Sequence, residues 1–223
     1  SEEYLKLAEE GFEKVAEHNP GNFILWFRWG QLCIFAGKMN KDIDRFYLGL
    51  EKFEKAAACE PDHPLLMIKW GEAQMLLGSN LEDLDYLREA EIKIAKSLEA
   101  NPEDAENWYV YGMCYSEYGR YFGDENYYFQ AIEKFQYGLN KNNSNLLLWY
   151  GMALAHFAIG ELRADPQMIE KSAQFCGRAL EHAGHAFPQF WNDWGVALLK
   201  LGELTGERKH IIDALEKFEH AID

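Results

Sequence analysis

Every 41 residues the chain returns to the same pattern. Trp26, Met67, Trp108, Trp149 and Trp191 stand 41, 41, 41 and 42 residues apart. Four positions after each comes a small residue: Gly30, Gly71, Gly112, Ala153 and Gly195. Seven further on a glycine recurs as Gly37, Gly78, Gly119, Gly160 and Gly202, and five beyond it an acid, Asp42, Asp83, Asp124, Asp165 or Glu207. A fixed period of this length marks an array of supersecondary units, none able to bury its apolar face without a neighbour. Such an array makes an extended surface, and surfaces of this kind bind other proteins.

Each unit reads as two helices. The first spans about residues 22–36 in the first full repeat and is expected to stop at the recurring glycine, a C-terminal helix signal. The acid five residues later is expected to cap the second helix. Asp165-Pro166 shows this best, with an acceptor at the cap and Pro at the first helical position. From that cap, large apolar residues recur four positions on (Phe46, Leu87, Tyr128, Ile169, Ile211), and small ones seven on (Gly49, Ala90, Ala131, Ser172, Ala214). Eleven on come Phe53, Ile94, Phe135, Cys176 and Phe218, and fourteen on, small residues again. These offsets form one helical stripe, in which small residues admit a neighbouring helix and large ones fill the gap beside it. The second helices end near Pro61, Pro102, Asn143 and Gly184. The expectation is five helix pairs and one leading helix, eleven in all, with no strand.

The Trp, Gly, Gly, Phe, Ala and Pro at 26, 30, 49, 53, 56 and 61 resemble the signature of the tetratricopeptide repeat, and five units carry it in register. The resemblance implies an all-α fold, a right-handed α-α solenoid of antiparallel helix pairs. Residues 1–20 match a second helix through Ala8, Phe12 and Val15, and the repeats then run 21–61, 62–102, 103–143, 144–184 and 185–223. Two departures stand out. The period exceeds the usual ~34 residues, and the added residues are expected in a lengthened inter-helix loop and second helix. The residue before the small one, usually Leu, is Trp29, Trp70, Tyr111, Met152 or Trp194. Residues 1–20 lack the first helix of their unit and no polar capping helix follows Asp223, so the native protein is expected to continue at one or both ends.

Composition narrows the function classes. The chain is 48% hydrophobic and 15% aromatic, ample for a packed core. Lys and Arg number 22 against 37 Asp and Glu, a net charge of −15. That field argues against nucleic acid and anionic membrane surfaces; it serves solubility or, alternatively, the long-range attraction of a basic partner. No stretch approaches the ~20 apolar residues of a membrane span, so no membrane insertion is expected. Cys33, Cys114 and Cys176 replace apolar residues of other repeats and read as buried thiols of a reducing, cytoplasmic setting, not as a disulfide framework.

No phosphate-binding loop, nucleophile elbow or HExxH is present, so neither an enzyme nor a cofactor is expected. His182 and His185 near Cys176 lack a credible fourth metal ligand. His156 occupies a position held elsewhere by Tyr115 and Leu198, which makes it a core histidine. The periodicity of the tryptophans points to core packing, not to an aromatic cage.

In the resembled family the first helices line a concave groove, with contact positions two before and one, five, eight and nine after the Trp. Here the groove candidates are Phe27, Gln31 and Phe35; Ile68, Glu72 and Met75; Tyr109 and Met113; Tyr150, Leu154 and Phe157; Asn192 and Lys200. The Lys and Asn by which family members grip a carboxylate tail are replaced by Phe27, Gln31, Ile68 and Glu72, leaving Lys200 as the only expected groove cation. These helices are apolar nearly all round, so their groove is either covered by other parts of the chain or holds a partner's apolar or amphipathic segment. The resemblance thus implies a protein-binding scaffold or adaptor, Tyr109 and Tyr150 being its expected aromatic contacts. Alternatives are a chaperone for apolar segments of a secreted protein and an oligomerisation arm that stacks through uncapped terminal helices.

Overall fold

The computed structural model describes residues 2–183 and 187–222. It contains α1 (Glu2–His18), α2 (Phe23–Asn40), α3 (Ile43–Cys59), α4 (Pro64–Leu81), α5 (Leu84–Ala100), α6 (Ala105–Phe122), α7 (Glu125–Lys141), α8 (Leu146–Arg163), α9 (Pro166–Ala183), α10 (Pro188–Thr205) and α11 (Arg208–His220). Among the described residues there is no strand, and α1 leads five helix pairs. The chain divides into two compact units, α1–α5 up to Asn101 and α6–α11 from Pro102.

The recurring glycine does not end the first helix. Gly37 lies inside α2, which runs on to Asn40 and closes at Lys41 in the left-handed conformation (φ 54°). Glu82, Gly123, Ala164 and Gly206 take the same place in the other pairs. Each N–H bonds back to the glycine carbonyl. The first helices are therefore 18 residues long. The connection is only the left-handed residue and the acid that follows. The added length of the repeat is helix, and among the described residues no long loop joins the two helices of a pair and could fold over the groove. Gly37 is glycine because a Cβ there would come within 2.8 Å of the Phe46 ring, where the second helix turns back.

The acids cap as expected in four repeats. Asp42 accepts the Arg45 N–H at 3.3 Å, and Asp83, Asp124 and Asp165 each accept an N–H two residues on at 2.9 Å. Glu207, with a longer side chain, makes no such bond. In three repeats the periodic tryptophan anchors the turn before its unit: Trp26, Trp108 and Trp149 donate their indole N–H to the carbonyls of Pro20, Pro102 and Asn143 at 2.7–2.8 Å.

The unusual aromatics before the small residue have a partner in the second helix. Lys52, Lys93 and Lys217 place their ammonium groups 4.3, 4.5 and 4.7 Å from the rings of Trp29, Trp70 and Trp194, and Lys134 lies 5.1 Å from Tyr111. A cation over an aromatic face contributes ~0.5–2 kcal/mol. The fourth repeat changes both members together: Met152 replaces the ring and Phe175 the lysine, with Phe175 stacking on Trp149 at 5.8 Å.

In the first unit the core gathers Trp26, Phe27, Phe46, Phe53 and Leu66; in the second it gathers Ala131, Phe135, Leu139 and Leu148. Cys33, Cys114 and Cys176 are buried and form no disulfide. Burial pushes the Cys33 thiol up to about 11 and that of Cys176 to about 12. His156 is buried with Nδ1 2.8 Å from the Met152 carbonyl, and burial holds its pKa below the ordinary value. Among the described residues no helix is long and apolar enough to cross a membrane.

Candidate partner-binding face

In the first unit the candidate face is built from α2 and α4. The position one after the Trp turns out to be interior: Phe27 is buried between Phe23 and Phe53, with ring centroids 5.6 and 6.1 Å away. Ile68 and Met75 are likewise buried. These three side chains serve the core, because a helix packed on both its partner and the next pair has more than one apolar stripe to bury. Phe35 is 62% exposed, with Ile24 and Leu65 also exposed. A cavity of about 170 Å³ lies among Gln31, Ile34, Phe35, Lys38, Phe53, Lys69, Glu72 and Ala73.

Its polar wall is an ion triad. The Glu72 carboxylate accepts from Lys38 at 3.1 Å and from Lys69 at 3.0 Å. Burial pushes its pKa up, the two ammonium groups pull it down, and the balance lies below the ordinary carboxylate value. Gln31 accepts from Arg28 at 3.1 Å. Lys200 is therefore not the only groove cation. Lys38 lies one helical turn beyond Ile34 on the same stripe, past the glycine expected to end the helix.

In the second unit the face is built from α6, α8 and α10. Tyr109 is half-buried with its ring 6.1 Å from Phe135, and Met113 packs into the same cluster. Tyr150 stacks on Phe190 at 4.1 Å and donates its hydroxyl to the Asp193 carboxylate. Burial, then that hydrogen bond, hold the Tyr150 pKa above its ordinary value. Truncating Tyr150 therefore removes structure as well as surface. Gln189 and the exposed Asn192 donate to Asp193 Oδ1 at 2.8 and 3.2 Å. Lys200 lies between Glu161 and Glu203, at 3.5 and 3.8 Å. Leu154 and Phe157 line a second cavity, of about 140 Å³, with Ala153, Ser172, Cys176, Asp193 and Val196. The side chains of His182 and His185 lie outside the described residues.

The two cavities occupy the same place in the repeat. Gln31, Ile34, Phe53 and Lys69 in one correspond to Leu154, Phe157, Cys176 and Asp193 in the other. Lys69 and Asp193 both stand two positions after the Trp position, which carries no periodic signal: Arg28, Lys69, Val110, Gly151 and Asp193 share nothing. The cavities offer apolar walls with one charged edge, and burial keeps the Cys176 thiol protonated.

No protein-family model matches the sequence, and no curated protein matches it. Solved structures do. PilW, a type IV pilus biogenesis factor, aligns with TM-score 0.70 at 13% identity over 98% of this chain and 91% of its own. TTC0263, a thermophilic tetratricopeptide-repeat protein of Thermus thermophilus, aligns with TM-score 0.59 at 17% identity over 86% and 98%. YrrB, a tetratricopeptide-repeat protein with an unusual peptide-binding site, aligns with TM-score 0.50 at 15% identity over 92% and 97%. With the Trp, small-residue and Phe grid of five helix pairs, these likenesses show that the chain has the fold of the tetratricopeptide-repeat proteins, in a 41-residue form.

Proposed function

We propose that the chain is a non-catalytic interaction scaffold whose first-helix face holds an apolar or amphipathic segment of a partner protein. The observation that carries this reading is the pair of repeat-equivalent cavities, each with apolar walls and a charged edge. Exposed apolar side chains beside them, Phe35 and Ile24 in the first unit and Val196 and Leu199 in the second, extend the contact surface. The peptide-binding site named for YrrB supports the same use of the fold. Cysteines held as thiols favour the cytoplasm.

The test compares two surfaces in affinity capture. Phe35→Asp and Val196→Asp alter exposed groove residues and are expected to reduce capture at least about tenfold with unchanged helicity. Glu54→Lys and Glu133→Lys, on the second helices, are expected to change mainly the salt dependence. The opposite pattern places the interaction on the acidic outer surface and sinks the groove reading.

A second reading has its own observation. α11 exposes Ile212 and Leu215, and Ile222 follows it, also exposed. That apolar stripe favours an oligomerisation arm, which sedimentation would reveal as a mass that rises with concentration.

A further inference from the structure

We propose that the cavity of the second unit is a subsite for one basic side chain of the partner segment, with its cation on Asp193. This rests on the reading that a partner segment lies on the first-helix face.

Comparison of the repeats shows what borders the cavity. In the third repeat the Phe135 ring is wedged between Gly112 and Gly151, so closely that an added Cβ would come within 2.3 and 2.6 Å of it. The equivalent group in the fourth repeat is Cys176 between Ala153 and Asp193. A thiol stands where the third repeat has a ring, and about 140 Å³ is open beside it; the first-repeat cavity keeps its ring, Phe53, so the thiol widens a space that the repeat also leaves elsewhere. Water takes ~30 Å³ in the liquid, so the space admits the end of a long side chain.

The charge of that space is not balanced. Asp193 accepts from the Tyr150 hydroxyl, the Gln189 amide and the Asn192 amide, all neutral. Among the described residues no cation lies within ion-pair distance of it, and Lys200 on the same helix is held by Glu161 and Glu203. Oδ2 takes one hydrogen bond, from Tyr150, and keeps acceptor capacity. The equivalent Lys69 of the first unit already has a counter-charge in Glu72, which it shares with Lys38, so of the two cavities the second is the one that presents an unmatched negative charge.

Three classes of side chain can then be ranked. An acidic one meets a like charge. A purely apolar one removes water from a carboxylate and offers no cation in return, which costs free energy. Lysine or arginine satisfies both walls: its methylene stem lies along Leu154, Phe157 and Val196 while the charged head reaches the carboxylate. The net charge of −15 draws such a partner from a distance.

The test needs no partner. The probes are n-butylammonium, n-butanol and butyrate, titrated into the full chain while the backbone amides of Ala153, Leu154 and Val196 are followed by NMR. We expect n-butylammonium to shift these amides and to bind at least about tenfold more tightly than the other two. Asp193→Asn, which keeps an acceptor for Tyr150, is expected to erase that preference, and Cys176→Phe to close the site to all three probes. If Cys176→Phe fails to fold, the Asp193→Asn comparison still decides. Equal binding of alcohol and ammonium, or no response at these amides, overturns the subsite whatever the capture assay shows. Failure of the groove reading is seen separately, as capture that survives Phe35→Asp and Val196→Asp.

Discussion

Gly151 of α8 lies against the ring of Phe135 from α7, where a Cβ would come within 2.6 Å of the aromatic edge. The same ring meets Gly112 of α6 still more closely, at 2.3 Å. One side chain thus fills the space that two glycines leave on consecutive first helices. The repeat pattern of small and large residues is the sequence form of this packing.

Gly112→Ala is therefore expected to destabilise the protein by about 1–3 kcal/mol, since the ring has glycine on both sides and cannot yield. Gly11 in α1 has open space where its Cβ would stand. Gly11→Ala is expected to stabilise by about 0.5–1 kcal/mol through helix propensity alone. Thermal melts should rank Gly11→Ala above wild type and wild type above Gly112→Ala. The reverse order would falsify the packing scheme.

The left-handed residues that close the first helices offer a second test. Ala164 holds φ 50° with a side chain that is exposed, at the place where Gly123 and Gly206 stand in other repeats. A Cβ in this conformation costs ~1–2 kcal/mol, part of which is offset by the stiffer unfolded chain. Ala164→Gly is expected to raise stability by about 0.5–1 kcal/mol in urea unfolding. A drop in the midpoint would show that this turn carries no strain.

Glu72 links stability to pH. Its folded pKa lies below the ordinary 4.5 because Lys38 and Lys69 outweigh its burial. A depressed carboxylate stabilises the fold above its unfolded pKa, and that contribution fades as pH falls through the folded value. Glu72→Gln is expected to cost about 1 kcal/mol at neutral pH and little once the wild-type carboxylate is protonated. Two unfolding curves that stay equally far apart in acid contradict this account.

Much of the fold is legible in the sequence, because helix pairing here depends on where small residues let two backbones approach. Gly30, Gly112, Phe53 and Phe135 state that geometry directly. The end of the first helix is not legible, for a physical reason: a glycine near a helix end usually supplies a left-handed turn, whereas Gly37 makes room for Phe46. Stopping the helix there shortens the stripe by a turn and hides Lys38. Phe27, Ile68 and Met75 cannot be separated from Phe35 by pattern, since helices apolar on every side do not announce which stripe meets solvent. Asp193 has no signal as a site residue because Tyr150, the partner that fixes its second oxygen, lies on another helix and meets it only in three dimensions.

Cys176 also bears on how the second unit comes apart. In a repeat array, cooperativity comes from the contacts between neighbours. The third and fourth repeats share the Phe135 ring, so α6, α7 and α8 gain or lose it together. Between the fourth and fifth repeats the equivalent position is a thiol beside an open space, and Tyr150, stacked on Phe190 and bonded to Asp193, holds the junction instead. Opening of α10 and α11 therefore breaks the Tyr150 contacts but leaves the Phe135 ring in place, and amide hydrogen exchange is expected to report the two ends of the unit as separate steps.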